Sequence, residues 1–234
     1  MVKNLNKNIN NHILCDIDEE NDDKLKKIIE DIGGTEGLVS LMGSMPLPQE
    51  VRSWINLQDR CIYITDVDET LIEVNKQIIL WNKMDKNIPV KERKPIKLLI
   101  FSHGGYLQET MALVDLIEIS KTPVYTINTG QALSAGLVIL LAGHKRFAMK
   151  NSTCLIHQGS AAFEGTAEEI AQAQNNYRRS LEVMKEFILR KTKITRDVYK
   201  QKSKSDWYIT GSNEQIKRGI VDFEITDIDQ LYNL

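Results

Sequence analysis

Cysteine is scarce in this chain. Cys15, Cys61 and Cys154 are all it has. They are far apart, odd in number and outside any metal-ligand spacing. They supply neither a disulfide framework nor a cysteine metal site, which fits a reduced, cytoplasmic protein. Cys61 and Cys154 sit in apolar, strand-like runs and read as core packing. A surplus of one charge is also lacking: Lys plus Arg total 30, Asp plus Glu 32, and the net charge is -2. There is thus no electrostatic ground for nucleic acid or an anionic membrane as partner. The local cluster Lys200, Lys202, Lys204 reads as a solvated loop. Long apolar runs are missing as well. The longest, around Leu137 to Ala142, is far too short to span a bilayer, and the polar, Asn-rich N-terminus has no secretory apolar segment.

What is present is enough for one full core with an appendage, since the chain has 234 residues. Residues 1–50 read as the appendage. The first 20 or so are polar with little pattern and are expected to be loosely ordered. Leu25, Ile28, Ile29 and Ile32 then mark a short amphipathic helix, and 37–49 is a Gly-, Met- and Pro-rich linker or mobile loop. From residue 51 to 234 strand and helix alternate. Strands are expected at 61–65, 96–101, 124–128, 146–149 and 154–157, with helices at 68–83 and 107–119. The spacing predicts an α/β core with a largely parallel sheet. Thr166 with Glu169 forms a capping-box signature opening a long helix to about Lys191. Its apolar stripe runs through Ile170, Ala173, Tyr177, Leu181, Met184 and Ile188. A helix so long is expected to project at its end and to expose Leu181, Met184 and Ile188 for contacts between subunits. Thr195 is a candidate cap, and Ser212 with Gln215 forms a second capping box. Gly219 to Phe223 reads as a turn into a last strand.

The chemistry centres on Gly130-Gln131-Ala132-Leu133-Ser134-Ala135-Gly136, where a strand meets an apolar helix. Small neighbours let backbone come close to whatever Ser134 faces, and the helix start aims free N–H groups at the same spot. This suits a serine nucleophile beside an oxyanion site; a helix N-cap serine has the same look. His157 ends an apolar strand beside a glycine. Asp206 follows a Lys/Ser-rich loop. Gly104-Gly105 follows a strand and can aim an N–H at a ligand oxygen, or simply turn the chain. Asp66-Val67-Asp68-Glu69-Thr70 resembles the nucleophile motif of haloacid dehalogenase-type phosphatases, which use Mg²⁺. Asp222, Asp227 and Asp229 give it no convincing metal-binding partners, and Asp68 reads instead as a helix N-cap.

Taken in order, these pieces resemble the Clp protease proteolytic subunit (ClpP) family over residues 60–225. The pieces are Ser102-His103-Gly104-Gly105, the Ser134 stretch, Ile156-His157-Gln158, the helix from Thr166, Asp206 followed by two aromatics, and Gly219-Ile220-Val221-Asp222. The resemblance implies a ClpP/crotonase-type spiral of ββα units with a long protruding handle helix. It implies Ser134 as nucleophile, His157 as general base and Asp206 as the group orienting the imidazole. The N–H groups of Gly105 and Ala135 would form the oxyanion hole, and no cofactor or metal is called for. It further implies peptide or unfolded protein as substrate, subunits in sevenfold rings around a chamber, ring pairing, and a ring ATPase as unfoldase partner.

This chain departs from the family pattern at several points. His103 and Gly159 replace prolines. Lys204 and Ser205 replace a charge pair that ties ring to ring, so the double ring is expected to be weaker. Lys97 and Leu99 stand where outward aromatics usually help dock the ATPase. Two other readings follow from the same residues: a crotonase-type enzyme acting on acyl-coenzyme A thioesters, and an inactive scaffold subunit of a ring.

Overall fold

A computed structural model of the chain describes residues 27, 30, 31 and 47–234. The chain divides into two compact units, 1–54 and 55–234. In the first, Lys27, Glu30 and Asp31 are helical. The rest of the helix expected over 22–32, the first 20 residues, and most of the expected loop at 37–49 lie outside the described residues. Helix α1, Pro48–Gln58, follows and buries none of its residues.

The second unit is built on a seven-stranded sheet. Strands β1 (Cys61–Ile64), β2 (Ile96–Ser102), β3 (Val124–Leu133), β4 (Lys145–Met149) and β7 (Phe223–Ile225) lie parallel, in the order β1-β2-β3-β4-β7. Strand β3 is forked. Its Tyr125–Asn128 half pairs with β4, whereas Gln131–Leu133 pairs with β5 (Thr153–Ile156). A register shift in β2 between Ile100 and Ser102 accompanies the bend. Gly130 allows it, because a Cβ there would lie 2.6 Å from the Phe101 ring. Strand β6 (Trp207–Thr210) then pairs antiparallel with β5.

Seven helices cover this sheet: α2 (Leu71–Met84), α3 (Leu107–Ile119), α4 (Ala135–Ala142), α5 (Ala167–Lys191), α6 (Arg196–Lys202), α7 (Ser212–Lys217) and α8 (Ile228–Asn233). Helix α4 is apolar on every side, and all eight of its residues are buried. It packs with Leu98, Ile100, Val114 and Ile117. Each of its Leu, Val and Ile side chains contributes about 1.5–3 kcal/mol of burial. Among the described residues, no helix is long and apolar enough to cross a membrane.

The cap of α5 is as expected: Thr166 accepts from the Glu169 N–H, and Glu169 reaches back to the Thr166 N–H. The buried part of α5 is not. Met184 and Ile188 are 8% and 2% exposed and Leu181 is half-buried, so the C-terminal half packs on its own core. The N-terminal half stands free instead, with Ala171 and Ala173 exposed. Pattern alone could not say which half of an unbroken stripe meets the sheet.

Four further expectations change. Helix α2 begins at Leu71, and Asp68 accepts from the N–H and hydroxyl of Thr70 before the helix starts. The Ser212/Gln215 capping box does not form: Gln215 is fully buried and bonds Ser152, while the Ser212 hydroxyl turns to Glu224. Lys97 and Leu99 are buried, not outward. Leu99 packs with Ile127, Phe147 and Ile225 beside Leu231 and Leu234, and the Lys97 ammonium donates to the Leu231 carbonyl at 2.8 Å. Lys200 and Lys202 lie on helix α6, not in a loop.

Candidate active site

Ser134 stands at the N-cap position of α4 but does not act as a cap. Its backbone is at φ 53°, ψ -117°, a region that costs an L-residue roughly 1–3 kcal/mol. Neighbours hold it there. The Ser134 N–H donates to the Leu155 carbonyl of β5 at 3.1 Å, and its own carbonyl accepts from Leu137 N–H at 3.0 Å. With the backbone turned this way, the hydroxyl leaves the helix end and meets His157: Oγ and Nε2 are 2.7 Å apart.

Strand pairing brings the other groups in. The β3–β5 register sets Leu133 beside Leu155, so Ser134 follows at the strand end. His157 immediately follows β5, and Asp206 immediately precedes β6. Because Ile156 pairs with Trp207, the next step of the antiparallel register sets His157 opposite Asp206. Nδ1 of His157 lies 3.3 Å from the Asp206 carboxylate, which is 57% exposed. Thus Ser134, His157 and Asp206 form one connected line of side chains.

The glycine pair closes against the same turn. Gly104 has φ 98°, and a Cβ there would lie 2.9 Å from Ser134 Cβ and 3.0 Å from Ala135 N. Gly105 runs against Val67, where a Cβ would come 2.0 Å from the carbonyl oxygen. That same carbonyl accepts from the Tyr106 N–H at 2.8 Å. Ala135 is the first residue of α4, so its N–H has no partner within the helix. Gly105 and Ala135 both line the cleft that holds Ser134 and His157.

That cleft has a volume of about 530 Å³. Its apolar wall includes Tyr106, Leu107, Tyr177, Leu181 and Met184. Phe163 and Tyr177 meet edge to face with ring centroids 5.9 Å apart. The sequence reading missed these wall residues. The signal available was the small-residue run Gly159-Ser160-Ala161-Ala162 just past His157, all four of which border the cleft. His103 sits at the rim, where its Nε2 accepts from the Gln131 amide at 3.0 Å.

The Asp66–Asp68 set stays apart from all this. The Thr70 hydroxyl and N–H hold the Asp68 carboxyl below the usual range. Asp222 is tied to Arg146 at 2.6 Å, and Asp227 caps α8. Among the described residues no group of three or more His, Cys, Asp or Glu is arranged to hold a metal. Cys154 is fully buried, and desolvation pushes its thiol far above the usual range. Burial also raises Cys61.

A parallel α/β sheet with a long capped helix, and a serine held in a strained turn against a histidine, define a hydrolase-like site. The chain belongs to the Clp protease family, which matches residues 55–227. It is 32% identical over 130 residues to the ATP-dependent Clp protease proteolytic subunit 2 of Treponema pallidum, covering 55% of this chain and 65% of that protein, just under two thirds. To the ATP-dependent Clp protease proteolytic subunit of Deinococcus radiodurans it is 29% identical over 170 residues, 71% of this chain and 80% of that one. Among solved structures, a ClpP1 point mutant from Listeria monocytogenes matches with TM-score 0.64 and 26% identity, over 76% of this chain and 98% of that one. The fold is therefore of the ClpP type.

Proposed function

We propose that this chain is a serine endopeptidase subunit that hydrolyses peptide bonds with Ser134, His157 and Asp206. The observation that carries the reading is the 2.7 Å contact between Ser134 Oγ and His157 Nε2, made from a backbone conformation that no helix cap requires. Ser134 Oγ attacks the scissile carbonyl while His157 Nε2 takes its proton and later returns it to the leaving amine. Asp206 holds the Nδ1–H tautomer and favours the charged imidazole. The N–H groups of Gly105 and Ala135 bind the oxyanion. Residues 51–234 carry this activity and 1–50 are an appendage.

Membership of the Clp protease family supports the wider picture: a cytoplasmic ring of seven subunits enclosing a chamber, able to pair with a second ring, and fed unfolded protein by a ring ATPase. The exposed N-terminal half of α5 is the surface this assembly would use. A serine-reactive fluorophosphonate tests the core of the proposal. It should label Ser134 in the wild type, weakly in His157→Ala and not in Ser134→Ala. Equal labelling of wild type and His157→Ala would refute the pairing. Sedimentation of the full chain tests the ring.

A further inference from the structure

Leu181 and Met184 line two cavities. One is the cleft above, and the other, also about 530 Å³, lies between α5 and α6 with Gln158 at its edge. The second cavity has an apolar side made by Leu181, Met184 and the buried ring of Tyr199. Ser203 also lines it. This serine is 1% exposed, and its hydroxyl has no hydrogen-bond partner among the described residues. A buried hydroxyl left unpaired is unusual, and a bound water or a ligand in the cavity would satisfy it.

The charges around the cavity are uneven. Lys185 pairs with Glu182 at 2.6 Å, and Arg196 pairs with Glu186 at 2.6 Å. Arg178 and Lys200 also border the cavity, yet have no ion-pair partner among the described residues. The surplus is therefore positive, beside an apolar wall and a free hydroxyl. Glu182 on the same wall disfavours a dianion such as a phosphate more than it disfavours a carboxylate.

We infer that this cavity binds the C-terminal carboxylate of a short, apolar-ended peptide. The carboxylate lies between Arg178 and Lys200, one of its neighbouring oxygens accepts from Ser203, and the last side chain packs on Leu181, Met184 and Tyr199. The cavity and its charge stand by themselves; the choice of a peptide rests on the proposed peptidase activity. Hydrolysis of the acyl-enzyme releases a peptide ending in a new carboxylate, in a cleft that shares Leu181 and Met184 with this cavity.

The test uses the full chain with Ser134 blocked by a fluorophosphonate, so that the cleft itself is filled. N-acetyl-Leu-Leu, its C-terminal amide and octanoate are each titrated by calorimetry. The acid is expected to bind about tenfold more tightly than the amide, as a charge-assisted contact requires. Arg178→Gln and Lys200→Gln should each weaken the acid several-fold and leave the amide unchanged, and Ser203→Ala should weaken it too. Equal binding of acid and amide, octanoate binding as well as the peptide acid, or no effect of the Arg178 and Lys200 changes would each overturn the inference. Failure of the reagent to label Ser134 would count against the peptidase reading instead. The same titration on Ser134→Ala then decides the cavity independently.

Discussion

His157 stands across from Asp206 at the open end of the β5–β6 ladder, one step beyond the Ile156–Trp207 pair. The pairing of two short strands thus fixes the proposed base and its proposed orienting acid, with the contact at 3.3 Å and the carboxylate largely in water. Ser134 meets the same imidazole at 2.7 Å. The tighter contact should matter more. Ser134→Ala and His157→Ala are each expected to lower kcat/KM for a peptide by on the order of 10³-fold or more, and Asp206→Ala by roughly ten- to a hundredfold less than either. Near-normal turnover by either of the first two variants would end the triad assignment.

Gly105→Ala tests the proposed oxyanion site. Its methyl would enter the Val67 carbonyl at 2.0 Å, so the backbone beside Ser134 must move. Losing one oxyanion donor costs about 10²–10³ in kcat. The variant should show that loss mainly in kcat while keeping its oligomeric state in sedimentation; a change confined to KM would place Gly105 outside the oxyanion site.

Met184→Glu is expected to unfold the subunit. Met184 is 8% exposed, and glutamate there would put a polar group in place of its apolar packing in the core that holds Phe187 and Ile188. The cost should exceed about 3 kcal/mol, read as a fall in the urea midpoint. Glutamate at the exposed Ala171 should leave that midpoint within about 0.5 kcal/mol of wild type, and the assembly of this variant then reports on the free half of α5.

Asp85 gives a pH test. Its buried carboxylate takes two bonds from Arg60 at 2.6 and 2.7 Å and one from the Thr122 hydroxyl. The Arg60 bonds outweigh desolvation and hold it below the usual carboxylate range. Its folded value lies below the unfolded one, so its stabilisation is complete above about pH 4 and is lost as pH falls further, through the folded value. Asp85→Asn should cost about 3 kcal/mol at pH 7, and the gap to wild type should narrow in denaturation curves taken toward pH 2. A constant gap would show that shape, rather than charge, is what Asn fails to supply.

Much of this was legible in the residues. The Thr166–Glu169 box marks the start of α5 because capping is local chemistry. Ser134, His157 and the Gly104-Gly105 pair announce themselves as small or polar residues at strand ends. What pattern could not supply was pairing. Strand β6 (Trp207–Thr210) is not among the expected strands, yet its register is what faces Asp206 to His157. Gln215 looked like a helix cap because its buried partners, Ser152 and Asn128, are 63 and 87 residues distant. Helix α8 is not among the expected helices, and its effect on Lys97 is visible only once Leu231 lies over the sheet.

The turn at Ser134 sets activity and stability against each other at one residue. Glycine would relax a φ of 53° and leave every backbone hydrogen bond in place. Ser134→Gly should therefore melt later than the wild type while hydrolysing nothing, and Ser134→Ala, with a Cβ still in the same region, should melt close to it. A subunit kept only as scaffolding would be better served by glycine. A later melt of Ser134→Gly would show that the serine holds the chain away from its own most stable sequence, as is expected of the proposed nucleophile.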